Sequence, residues 1–248
     1  MVLAIHAKTV GRALITAVLL INFASLAARV ARYAWGYEGV LKPLRLLDAG
    51  AENTIPTWFS SAQLLLCSVL LAAIAVAQKR SGGGYGRHWG VLSLIFVLLS
   101  VDEEASIHEA LGATLERLLA ATTGFEPGGP ISFFWVVPAA AFTLVVLLAY
   151  LRFIVHLPGA TRRLFLLAGA LFVLGALGME MLEAQVVSAS GSGADFENAR
   201  GLAKIVVGLL TSVEETFEML GVTLFVYALL AYIGSYMGDI SVRVHVDK

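Results

Sequence analysis

The chain has 248 residues, 58% of them hydrophobic and only 14% charged, with a formal net charge of −1. A soluble domain carries about 25% charged residues, so this composition belongs in a membrane and gives no basic surface for a nucleic-acid partner. The single cysteine, Cys67, lies inside an apolar run; it excludes an intramolecular disulfide framework and reads as inert core.

Six apolar spans follow one another at about 10–32, 55–78, 90–120, 133–156, 162–188 and 202–236. Each reaches the roughly 20 residues a helix needs to cross the hydrocarbon, and the longer ones imply tilt. The predicted fold class is therefore all-α: a polytopic integral membrane protein of about six transmembrane helices in one domain, 1–248. Lys8 and Arg12 before an apolar stretch ending at Ala27-Ala28 resemble a signal peptide, but the stretch is long for one and five spans follow. Between the first two spans, Leu41, Leu44, Leu46 and Leu47 alternate with Lys42 and Arg45 as in a short interfacial helix. Thr54 and Pro56 then supply a cap and a first-turn proline for the second span. Ser81 to Gly86 is a glycine-rich turn without the spacing of a phosphate-binding loop. The third span loses its apolar character at Asp102, yet Ile107 to Leu119 resumes a helical pattern with no Gly-Pro punctuation, so one helix is expected. A rigid turn at Gly124–Pro130 and a small polar loop at Ser188–Asn198 separate the later spans. The tail Ile240–Val246 alternates with the period of a strand or is a frayed end.

With the N-terminus inside, inner segments hold ten Lys and Arg against seven outside, among them Arg29, Arg32 and Arg117. That bias predicts a bacterial inner-membrane protein with both termini cytoplasmic. Trp35, Trp58 and Trp135 near one face, with Trp89 and Tyr232 near the other, read as aromatic belts.

Three spans carry acids in their interiors: Asp102, Glu103, Glu104 and Glu109 beside His108; Glu180 and Glu183; and Glu214, Glu215 and Glu218. A carboxylate at mid-membrane is unfavourable by about 2.5–3.5 kcal/mol on insertion scales, so all of them ionised and unpaired would sum to roughly 20–30 kcal/mol. Protons or metal cations are the candidates for neutralising them, with His108 the one basic group in reach by sequence. Counting along each span places all three clusters between the midplane and the outer surface, which points to one site. Glu180 and Glu183 share a face, as do Glu214, Glu215 and Glu218, bordered by Thr211 and by Gly221, which leaves room for a neighbouring helix. On the third span, Asp102, Ser106 and Glu109 form one face and Glu104 and His108 another, while Glu103 lies apart and reads as a solvated bystander.

Spacings of three and four place Glu180/Glu183, Glu215/Glu218 and Glu104/His108 as stacked metal ligands. Dinuclear carboxylate bundles use a Glu-x-x-His pair from each of two helices, so the match to them is partial. The expected ligands are Glu104, His108, Glu109, Glu180, Glu183, Glu215 and Glu218, with Asp102 and Glu214 as supporting groups or proton acceptors. One histidine among carboxylates suits Mn²⁺, Fe²⁺ or Zn²⁺; oxygen-only ligation suits Ca²⁺ or Mg²⁺. The other readings are a proton relay and plain solvation in a vestibule. His6, His88, His156 and His245 fall at membrane ends or termini, and Asp48, Glu52, Asp195 and Glu197 read as loop acids. There is no nucleophile elbow, no His-Glu-x-x-His and no several-histidine signature of membrane desaturases or alkaline-ceramidase-like hydrolases.

Glu109-Ala-Leu-Gly112-Ala-Thr114-Leu resembles Glu218-Met-Leu-Gly221-Val-Thr223-Leu, and Ser100-Val-Asp-Glu103 resembles Ser212-Val-Glu-Glu215, with about one turn less between the second pair of blocks. Two related halves of three spans would be an inverted repeat, with the site at the repeat interface. Through Ser100–Glu109 and Val213–Gly221 the chain also resembles uncharacterised bacterial polytopic membrane proteins. That resemblance implies about six helices and an acidic membrane site, and no activity. The function expected is cation binding within the membrane, for transport or conduction of a divalent metal or protons. The alternatives are a dinuclear-metal enzyme acting on a lipid or quinone, and a subunit of a homo-oligomer or larger membrane complex.

Overall fold

The computed structural model describes residues 6–35, 42–51, 53–125, 128–190 and 202–237. The tail Ile240–Val246, Glu52, Asp195, Glu197 and most of the 188–198 loop lie outside the described residues. Helices α1 (Ala7–Trp35), α2 (Ile55–Arg80), α3 (Gly86–Ala105), α4 (Ile107–Thr123), α5 (Val136–His156), α6 (Gly159–Val173), α7 (Glu180–Ala189) and α8 (Leu202–Tyr236) follow in order, with no strand among the described residues. A 3₁₀ turn, Lys42–Leu47, follows α1, another, Gly129–Ile131, precedes α5, and a π turn, Leu174–Met179, joins α6 to α7. Among the described residues, five segments are long and apolar enough to cross a membrane: Ala7–Ala31, Ile55–Arg80, Val136–His156, Gly159–Ala189 and Ile205–Tyr236.

Helix α8 is the axis of the bundle and packs on α1, α2, α6, α7 and the π turn. Gly221 lets α6 approach it: a Cβ there would stand 2.8 Å from Phe172 N and 2.9 Å from Ala168 O. On α2, Leu64, Cys67, Leu71 and Ile74 recur at helical spacing and are buried against Val222, Val226 and Leu229 of α8. Helices α2 and α3 form a long hairpin zipped by reciprocal serine bonds. Ser61 and Ser100 each donate to the other's carbonyl oxygen at 2.8 and 2.9 Å, and Ser68 and Ser93 do the same at 2.9 Å. Helix α5 packs on α6 and the π turn. It exposes Phe142, Leu144, Val145, Leu148 and Leu151, the surface a bilayer would cover.

Three expectations are corrected. The segment 90–120 is two helices, because Ser106 adopts the left-handed conformation (φ +46°) and ends α3. Trp89 (1% exposed) and Tyr232 (7%) are not belt residues but core, their rings 5.0 Å apart. The fifth span is re-phased by its π turn rather than running as one regular helix. The two segments of the sequence similarity also differ in build: the three extra residues between the blocks of the third span contain the break at Ser106, whereas Glu214 to Gly221 lie on continuous helix.

Candidate functional site: a carboxylate cage at one end of the bundle

The acids gather away from Tyr236, where Glu214 to Glu218 lie 12–16 residues in from Leu202 at the start of α8. Glu215 is 21 residues from Tyr236 on α8, or about 30 Å at 1.5 Å per residue. There α7, placed by the π turn, faces α8. Gly175 in that turn makes the approach possible: a Cβ would meet Glu218 Cγ at 2.8 Å and Glu214 O at 3.0 Å. As a result Glu180, Glu183 and Glu214 each present a carboxylate oxygen within 4.8 Å of the other two. Oxygens on opposite sides of an ion with metal–oxygen distances of 2.0–2.6 Å are about 4–5 Å apart, so the triad has the span of a ligand set for a hard divalent cation.

Each member is held. Glu180 Oε1 accepts the Trp135 indole N–H at 3.1 Å. Glu183 Oε2 accepts from Thr211 Oγ1 at 3.0 Å, and Glu214 lies within hydrogen-bonding reach of Glu183. Glu183 is 6% exposed, and its other oxygen, Oε1, is buried with no hydrogen-bond partner. A buried carboxylate oxygen without a donor is strongly disfavoured unless a proton or a cation completes it. Three ionised carboxylates at this spacing would repel by about 3 kcal/mol per pair at an effective dielectric of about 20.

A second group of acids lies on the α2–α3 side of α8. Glu103, read from sequence as a bystander, turns into the bundle: it meets Ser60 of α2 and is close enough to Glu215 and Glu218 for direct charge interaction. One turn along α2, buried Gln63 donates to Thr223 Oγ1 at 2.8 Å, and its Oε1 has no partner.

His108 is not in the cage. The break at Ser106 puts Glu104 on α3 and His108 on α4, so the two no longer stand one turn apart on a single helix, and Glu104 and Glu109 are both exposed. Asp102 instead caps α4: Oδ1 accepts the His108 backbone N–H at 2.8 Å and Oδ2 lies 2.8 Å from His108 Nδ1. The His108 ring rests on Trp135 at 4.4 Å between centroids and is close enough to Glu180 for direct charge interaction.

The sequence reading missed Arg29, which it placed in an outer loop. Arg29 is 8% exposed; its Nε donates to Asp48 Oδ1 at 2.8 Å and its Nη1 to Gly208 O. Gly50 and Gly208 leave the room: a Cβ on Gly50 would collide with Nη2, and one on Gly208 would stand 3.3 Å from Nη1. The guanidinium charge acts on Glu183 and Glu215. Asn22, Ser25 and Arg29, spaced three and four apart in the second half of the first span, were the available signal.

The fold and the acidic end together define an all-α polytopic protein of membrane type with a carboxylate triad able to hold a metal ion. The chain belongs to the family described as Domain of unknown function (DUF8692), whose model matches residues 12–233. No curated protein and no solved structure matches it.

Proposed function

We propose that the protein binds a divalent cation in the membrane through Glu180, Glu183 and Glu214, near the end of the bundle that carries Arg29 and α4. The observation that carries this reading is the buried Glu183 Oε1 without a hydrogen-bond partner, on a side chain that presents a carboxylate oxygen within 4.8 Å of those of Glu180 and Glu214. With His108 held on Trp135, the donors are oxygens alone, which favours Mn²⁺, Mg²⁺ or Ca²⁺ over Zn²⁺. Glu215 and Glu218 of α8, with Glu103 of α3 beside them, are the next carboxylates and would take the ion if it moved inward. The other half of the bundle is filled by Trp89, Phe96, Phe153, Phe165 and Phe225, which supports an occluded site entered from one side rather than an open channel.

Titration of Mn²⁺ into the purified full-length protein in detergent, read by loss of the free-ion EPR signal, tests the reading. One site per chain is expected, weakened at least about tenfold in Glu183→Gln and Glu214→Gln and unchanged in Glu104→Gln. Equal binding by all four proteins, or none by the parent, would sink it.

A further inference from the structure

We propose that α4 is not a membrane span but an amphipathic helix lying in the bilayer interface at the acidic end, its partner being the lipid surface. The α2–α3 hairpin already crosses the bundle without it. Ser68 pairs with Ser93 and Ser61 with Ser100, so α3 is level with the start of α2 when it ends at Ala105. Ser106 then turns the chain in the left-handed conformation, and α4 touches α3 only at this corner.

The surface of α4 divides into three arcs at 100° per residue. His108 and Gly112 face the protein; a Cβ on Gly112 would meet Trp135 Cβ at 2.5 Å, so this helix sits on the residue that starts α5. Ile107, Leu111, Leu115 and Leu118 fall within an arc of about 80° and are 41%, 64%, 38% and 59% exposed. Glu109, Glu116 and Arg117 lie on the opposite side. Protein, lipid and water each receive one arc, the pattern of a helix in the headgroup region with its apolar face about 5–10 Å deep. Just beyond Trp135, Val137 of α5 is exposed as well. A helix crossing the bilayer would instead place Glu116 and Arg117 in hydrocarbon.

The test uses single nitroxide labels at Leu111, Leu118, Glu116 and Arg117 of the full chain in phosphatidylcholine/phosphatidylglycerol vesicles; native Cys67 is wholly buried and replaced by serine in a control. Labels at 111 and 118 should favour oxygen over a water-soluble nickel chelate and report the same shallow depth. Labels at 116 and 117 should favour the chelate severalfold. Depth increasing steadily from 111 to 118 would mean that α4 spans. Chelate access at 111 would mean that it stands in water, and loss of both accessibilities with dipolar broadening would mean a second copy. Each of these three results overturns the proposal.

Discussion

At the scale of single residues, the acidic end is organised by Arg29. A buried guanidinium with Asp48 on one side and the Gly208 carbonyl on the other has two fixed contacts and little freedom. Removing one partner of a buried pair strands the other, which typically destabilises by about 3–5 kcal/mol. Arg29→Gln should therefore lower the thermal unfolding temperature in detergent, and Arg29→Gln/Asp48→Asn should recover part of the loss, because both charges of the pair are removed together. An additive double variant would show that the pair is not coupled. Lysine should not substitute for Arg29, since one ammonium cannot reach both Asp48 and Gly208 with the same planar fork. Ser106 is the other residue with a disproportionate effect. A left-handed conformation is unfavourable by roughly 1–2 kcal/mol for a residue with a Cβ and free for glycine. Ser106→Gly should be neutral or stabilising in thermal unfolding, and Ser106→Val clearly destabilising; the reverse order would mean that the corner is not what it appears.

At the scale of elements, the π turn and Gly175 decide whether the cage exists. Regular helix from Gly159 onward would point Glu180 and Glu183 elsewhere on α7; the inserted turn re-aims them at α8, a common use of π turns near functional sites. Gly175→Ala should push α7 and α8 apart at Glu214 and Glu218. Overpacking of this kind is unfavourable by about 1–3 kcal/mol. Mn²⁺ affinity should fall while helix content by circular dichroism stays constant. Affinity equal to the parent's would separate the glycine from the site. Elements were also where the sequence was most and least legible. Apolar runs of bilayer length marked α1, α2, α5, α6–α7 and α8, because burial in lipid demands them and little else produces them. The corner at Ser106 left no trace, since serine is common inside helices and neither Gly nor Pro marks the turn. The π turn was equally silent: its Gly175 and Gly178 suit close packing in a regular helix just as well.

Across the whole molecule, charge and aromaticity are segregated along the bundle. The carboxylates, Arg29 and His108 occupy one end, while the interlocked rings of Trp89, Phe153, Phe165 and Phe225 fill the other half. The convergence of three acidic segments at one depth was readable by counting residues from the span ends. Which acids meet was not. Glu180, Glu183 and Glu214 form the triad, and Glu103 turned inward because α3 packs along α2, a tertiary choice that helical angles alone do not contain. The segregation predicts one-sided access. In oriented proteoliposomes, Mn²⁺ added at the acidic end should occupy the site at once, and Mn²⁺ at the aromatic end should reach it slowly or not at all. Equal and rapid occupancy from both sides would require a path that the aromatic half does not provide.

The reciprocal serine pairs of the α2–α3 hairpin bear on how such a chain is made. Ser61 with Ser100 and Ser68 with Ser93 recur seven residues apart on both helices, so each hydroxyl finds its partner only in one register. Interhelical bonds of this kind contribute about 0.6 kcal/mol each in a membrane; four of them act together over a short connection. During biogenesis α2 and α3 can therefore leave the insertion machinery as a paired unit, before α8 has been translated. Asp102 and Glu103 would then be carried in by a hairpin whose partner helix is already in place.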